Sequence, residues 1–182
     1  MNCFLEAITS CDNAIKVNPT AYLALNYKAL ALIMLGYADE ALINCQQSLQ
    51  INKKNNLDAY LLITFTLNKK SQFQQARIYC DQAIYDEIRS ANIYNNKGFA
   101  LLNLKDYNGA IQCFQEAIKI NPQSDEAFSN MGDSLSYLNQ FEAAINNYDY
   151  AYQISNNDKY KVKQLTLELE LEKSQIKSIL NY

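Results

Sequence analysis

The side chains able to carry covalent or metal chemistry are five thiols, Cys3, Cys11, Cys45, Cys80 and Cys113, and the carboxylate pairs Asp39-Glu40, Asp86-Glu87 and Asp125-Glu126. A thiol nucleophile needs a base beside it, and the sequence contains no His. That removes the commonest general base, every Ser-His-Asp or Cys-His arrangement and every zinc site built on imidazole. No two cysteines have C-x-x-C spacing and their number is odd, which argues against a redox pair or a disulfide framework. The carboxylate pairs fall at turns or helix starts, where they favour solvent and the helix dipole. With 4 Gly in 182 residues there is no phosphate-cradling loop. The expectation is a chain that is not an enzyme, with no catalytic residue, no cofactor and no metal.

The thiols carry a different message through their spacing. From Cys11 onward the intervals are 34, 35 and 33 residues, too regular for accident and too wide for a ligand cluster. This reads as a small apolar side chain reused at one helix-packing position. Ala7, Ala41, Ala76, Ala110 and Ala144 repeat the period, and seven residues after each stands Ala14, Ser48, Ala83, Ala117 or Ala151. Small residues seven apart share one helix face and admit a second helix closely. Twelve residues before the alanines of the complete units stand Ala29, Thr64, Gly98 and Gly132, assigned to the facing helix.

The elements that must carry this pattern are helices. Four Gly and two Pro leave little for hairpins, while 49% hydrophobic and 19% charged residues fit an ordered domain or short repeat array. The net charge is −3 and only two of the 16 cations are Arg, which argues against nucleic acid and an anionic membrane surface as partners. The longest apolar run, Ala29 to Leu35, is far short of the roughly 18–20 residues of a membrane span, so no membrane insertion is expected. The opening residues read as amphipathic helix rather than a secretory signal. A reducing, cytoplasmic compartment is the expectation.

The chain resembles the tetratricopeptide repeat (TPR) family, whose period is 34 residues. Asp125 to Asp158 shows Phe128, Met131-Gly132, Leu135, Phe141, Ala144, Tyr148 and Ala151 in the family's order. Ala91 to Ser124 has Tyr94, Gly98, Leu101, Tyr107, Ala110, Phe114, Ala117 and Pro122, with Lys97 in place of a leucine. Leu57 to Ser90 is weaker, with Lys70 where an apolar residue is usual and Ile88 in place of proline, and its second helix is expected to run past Tyr85. Tyr22 to Asn56 has one extra residue, placed in the polar, loop-like stretch 52–56.

The predicted organisation is a half repeat at 1–21, repeats at 22–56, 57–90, 91–124 and 125–158, and a C-terminal capping helix at 159–182 whose stripe is Val162, Leu165, Leu169, Ile176 and Ile179. The resemblance implies an all-α fold, a right-handed superhelix of antiparallel helix pairs.

It also implies a concave groove formed by the first helix of each unit. The matching positions are Asn26, Tyr27, Leu30, Ile33 and Met34; Leu61, Leu62, Phe65, Asn68 and Lys69; Asn95, Asn96, Phe99, Leu102 and Asn103; and Ser129, Asn130, Asp133 and Tyr137. The first half is apolar, which suits an amphipathic helix. Asn96 and Asn130 share a phase and are similar to the asparagine ladder in the repeat arm of a glycosyltransferase. The positions of the family's carboxylate clamp hold Asn26, Leu30, Leu62, Asn92 and Asn96, without the cations a terminal carboxylate needs. The acidic C-terminal tails of heat-shock chaperones are therefore not expected partners.

At the other surface, Phe4, Ala7, Ile8, Cys11 and Ala14 belong to a second helix without its own first helix, and form an expected N-terminal edge interface. The function these features imply is a non-catalytic scaffold for protein–protein interaction. Its partner is a peptide, an amphipathic helix or a neighbouring subunit, and its setting a larger assembly such as a cytoskeletal or ciliary one. The alternative is the regulatory or substrate-recognition arm of an enzyme such as a glycosyltransferase.

Overall fold

The computed structural model describes residues 2–180 and, near the end of the last helix, side chains as far as Lys173 and that of Ile176. Among the described residues all regular structure is helical: α1 (Asn2–Val17), α2 (Tyr22–Met34), α3 (Ala38–Ile51), α4 (Leu57–Lys69), α5 (Phe73–Tyr85), α6 (Ala91–Asn103), α7 (Tyr107–Ile120), α8 (Asp125–Tyr137), α9 (Phe141–Ser155) and α10 (Asp158–Leu180). No helix among them is long and apolar enough to cross a membrane.

Consecutive helices pack on one another, and α2, α4, α6 and α8 also touch in series; no comparable packing joins successive outer helices among the described residues. An array whose inner row is in contact and whose outer row is splayed bends towards the inner row. The result is an α-solenoid of antiparallel pairs with a concave inner face.

The inner helices α2, α4, α6 and α8 end in the same way. Gly36, Ser71, Lys105 and Asn139 take positive φ, between 58° and 87°. The next amide then donates back to the carbonyl of Leu32, Leu67, Leu101 or Leu135, each at 2.9 Å. This six-to-one closure reverses the chain in two residues and sets every outer helix antiparallel to its inner partner. Only the first turn uses glycine, the residue that adopts this conformation without steric cost.

The small columns lie where the helices cross. Ala41, Ala76, Ala110 and Ala144 are at most 1% exposed, and Ser48, Ala83, Ala117 and Ala151 are fully buried. The cysteine reading needs one correction. Cys45 and Cys80 are buried in the crossing four residues after their alanine, but Phe114 and Tyr148 hold that place in the later units. Cys113 sits one residue earlier. The aromatic rings fit because the facing residues are glycines: a Cβ on Gly98 would lie 2.5 Å from the Phe114 ring, and one on Gly132 2.7 Å from Tyr148.

Two further expectations are corrected, for the end of α5 and for the face of α10. Helix α5 stops at Tyr85 and does not run on. Glu87 adopts φ 63°, and the Ile88 amide bonds the Ala83 carbonyl at 3.0 Å, while the Ile88 side chain packs beside Cys80 and Ala83. The stretch 52–56 is the expected loop between α3 and α4, and within it Asn56 is 2% exposed. Its amide donates to Ser48 Oγ and its carbonyl oxygen accepts from Asn26, both at 2.7 Å, and from the Ala59 amide that starts α4.

The second correction concerns α10. Its expected inner stripe faces outward, with Val162, Leu165, Leu169 and Ile176 between 46% and 60% exposed; Ile179 lies outside the described side chains. Tyr160, Gln164 and Leu167 are the buried face. Tyr160 Oη donates to Asp125 at 2.9 Å and Lys163 Nζ to both Asp133 oxygens at 2.7 Å. These bonds fix the helix's rotation.

Both lysines at unusual positions have partners. Lys70 pairs with Asp39, and Lys97 Nζ lies 2.7 Å from Asp81. Burial pulls the Lys97 pKa down, but the hydrogen bond and charge of Asp81 outweigh it and leave it raised.

Candidate protein-binding groove

The inner helices present a cleft of about 550 Å³ over α4, α6, α8 and α10. Phe65 and Phe99 supply its apolar surface, and the edge of Phe73 meets the Phe99 ring at 6.3 Å between centroids. Asn96, Asn103 and Asn130 line it with amides, and Lys69, Lys159, Lys163 and Glu126 bring charge. The geometry follows from the curvature: residues four and three apart on each short inner helix form one row, and successive rows converge.

Within this cleft the asparagines are already tied to the scaffold. Asn96 Nδ2 donates to Thr64 Oγ1 at 2.9 Å, Asn130 Nδ2 to Asn95 Oδ1 at 3.2 Å, and Asn68 Nδ2 to the Asn96 carbonyl at 3.0 Å. They stitch α4 to α6 and α6 to α8 rather than standing free as a ladder. Asn68, Asn95 and Ser129 are buried in the floor.

Electrostatics single out two cations. Lys163 is neutralised by Asp133, which also accepts from Tyr148 Oη at 2.8 Å. Lys69 Nζ lies 5.5 Å from the Phe65 ring and Lys159 Nζ 4.4 Å from the Tyr160 ring; neither has a carboxylate within bridging distance among the described residues. A cation held over a ring remains available to an anion. Burial and the Asp125 hydrogen bond push the Tyr160 pKa up, so Tyr160 stays a neutral wall.

Of the residues named from sequence, Phe65, Asn68, Lys69, Asn95, Asn96, Phe99, Asn103, Ser129 and Asn130 meet in this cleft. Others do not. Asn26 is 3% exposed and engaged with Asn56, so it is not a groove residue. Ile33 and Leu62 pack on the core shared by the first units, Leu61 beside Tyr60, and Leu102 beside Leu101 and Phe114. Tyr137 stacks on Tyr107 with centroids 5.0 Å apart. Tyr27, Leu30 and Met34 are exposed on α2, outside the residues that line the cleft. Sequence reading missed Lys159, Lys163, Tyr160 and Glu126; the signal was a Lys pair four apart at the start of α10.

At the N-terminal edge, Phe4, Ala7 and Cys11 are half-buried and Ala14 is exposed. Ile8 is not part of the open face: it packs on the core around Ala29, Leu32 and Cys45. No residue of α1 is buried.

Comparison with known proteins agrees with this architecture. The description "Tetratricopeptide repeat" matches over residues 91–124, the solenoid unit α6–α7. Residues 91–124 are thus a tetratricopeptide repeat, and the units on either side share its helix-pair architecture. It is 26% identical over 160 residues to human mitochondrial import receptor subunit TOM70, covering 84% of this TPR chain and 26% of that protein. It is 35% identical over 60 residues to the STIP1 homolog of Dictyostelium discoideum, covering 33% and 11%. The chain thus spans about a quarter or less of these two relatives. A thermophilic TPR protein of Thermus thermophilus superimposes with a TM-score of 0.72 at 20% identity, covering 91% of each chain, a likeness of fold.

Proposed function

We propose that this TPR chain is a non-catalytic scaffold that holds a segment of a partner protein in its concave cleft. The observation that carries this reading is the combination of Phe65 and Phe99 with Lys69 and Lys159, two cations without a carboxylate partner among the described residues. The chemistry fits a short protein segment with an apolar or aromatic side chain and nearby acidic groups. Serving as a subunit or adaptor of a larger assembly, in a reducing compartment, belongs to the same proposal. It is supported by the named receptor among the relatives and by five thiols that are all free.

The test is selection of peptides from a random library on the immobilised chain, with affinities then measured by fluorescence anisotropy. Selected peptides should share an apolar anchor with acidic neighbours. Phe99→Ala and Lys159→Glu should each weaken them by about tenfold or more, about 1.4 kcal/mol. Binding indifferent to both substitutions would place the interaction surface elsewhere.

A further inference from the structure

Two aromatic rings in the cleft already hold a cation of the chain itself. Lys69 Nζ lies over Phe65 and Lys159 Nζ over Tyr160. Phe99 of α6, half-buried, holds none among the described residues. Its neighbours on the same helix face are Asn96, one turn before it, and Asn103, one turn after, and all three line the cleft.

The hydrogen bonds decide which way these two amides point. Thr64 Oγ1 spends its proton on the Tyr60 carbonyl at 2.8 Å, so it can only accept from Asn96, whose Nδ2 takes that contact at 2.9 Å. Asn103 Nδ2 donates at 2.8 Å to the Phe99 carbonyl, which can only accept. Each amide is left with its carbonyl oxygen unengaged among the described residues, one on either side of the Phe99 ring. On the facing wall, Glu126 of α8 is exposed and has no cation within bridging distance among the described residues. An open ring face, two acceptors and a carboxylate make a place for a cation in a cleft whose ends are basic.

With the cleft as the protein-binding surface, the reading on which this rests, we infer that the place takes the guanidinium of an arginine in the bound segment, flanked in that segment by acidic residues. Arginine fits where other donors do not. Its planar group covers a ring with its face while N–H bonds leave from its edges, so one side chain serves oxygens on both sides of Phe99. Asn96 and Asn103 are about 10.5 Å apart along the helix axis, and the single N–H of a main-chain amide serves one of them only. A lysine ammonium is a compact charge without the planar contact. The acidic flanks follow from the order of the helices. Lys69 stands on α4, Phe99 on α6 and Lys159 on α10, so a segment crossing the inner helices passes one cation before the arginine and another after it. Both repel an arginine whose neighbours do not neutralise them.

Peptides selected from the random library on the immobilised chain are the probe, and they should carry an arginine with an acidic residue on each side. Resynthesised with lysine or with citrulline, the neutral isostere, in place of the arginine, the tightest of them should bind about tenfold more weakly or worse by fluorescence anisotropy. Glu126→Gln should weaken the arginine peptide by about fivefold and leave the citrulline peptide unchanged. Phe99→Leu, which keeps an apolar contact and removes the ring, should do the same. Glu126 is exposed, so the helix content and melting temperature of E126Q should match the parent. Selected peptides that depend on Phe99 and Lys159 but lack arginine, or bind equally well with citrulline, would overturn the inference while leaving the cleft as the binding surface. Equal losses of the arginine and citrulline peptides in E126Q would also overturn it. Peptides indifferent to Phe99→Ala and Lys159→Glu, or no binding peptide at all, would overturn both readings.

Discussion

The crossings in the first two complete units and those in the last two are built from opposite materials. In the first two, a small residue on the inner helix, Ala29 or Thr64, faces a thiol, Cys45 or Cys80. In the last two, glycine faces an aromatic ring, Gly98 against Phe114 and Gly132 against Tyr148. All four bury the crossing. The helices respond to the summed volume between them rather than to either residue, so bulk can move from one side of the crossing to the other. Packing at this density leaves no room for a change on one side alone.

The sharpest way to break the comparison is to empty an aromatic crossing. Phe114 is fully buried, and Phe114→Ala should cost about 3–5 kcal/mol by urea denaturation, because glycine on the facing helix cannot fill the void. Overfilling comes next. Gly132→Leu should cost about 1–3 kcal/mol or more, since even a Cβ would lie 2.7 Å from the Tyr148 ring. The paired change Gly98→Ala with Phe114→Cys, which turns a late crossing into an early one, should recover much of the loss of Phe114→Cys alone. An equally unstable pair would show that the crossings are not interchangeable.

Alkali should distinguish the two kinds of crossing. Burial pushes the Cys45 and Cys80 thiols from 9.0 up to about 12. A raised folded-state pKa means stability that is complete below pH 9 and lost as pH climbs towards 12, because the unfolded chain releases its thiol protons first. By pH 10 each thiol should have removed on the order of 1 kcal/mol. Melting temperatures measured from pH 8 to 11 should fall less in Cys45→Ala/Cys80→Ala than in the parent. Burial and Asp133 push the Tyr148 pKa up as well, so the later crossings weaken only at higher pH.

The smallest effect belongs to the turns. Ser71 and Lys105 stand at φ 58° and 66°, where the first unit has Gly36. Either residue changed to Gly should stabilise the chain by roughly 0.5–1 kcal/mol, relief of the left-handed strain exceeding the entropy glycine loses. A lower urea midpoint would show that the side chain contributes more than the backbone strain costs.

Much of the fold was legible because its determinants are short-range and repeated. Alanine seven residues before another small residue makes a close crossing in any unit, so the column could be read without coordinates. The candidate cleft was legible only in part. Phe65, Lys69, Phe99 and Asn130 follow from the groove that the family resemblance implies, but Lys159 and Lys163 were hidden because the last helix carried no repeat signature. Asn26 was misread as a groove residue, and the burial of Asn56 went unseen, because polarity in sequence says nothing about a partner 30 residues away.

What the sequence by itself determined is the helical period, the pairing of inner with outer helices and the small columns where they cross, since steric exclusion at a crossing acts within one unit. Tertiary structure alone decided how α10 is rotated. By hydrophobicity Val162, Leu165 and Leu169 are the better face to bury, yet Tyr160, Gln164 and Leu167 are inside. The last helix answers to the surface of α9 and to the fixed acceptors Asp125 and Asp133, and a packed neighbour with two directed hydrogen-bond acceptors outweighs the helix's own amphipathic preference.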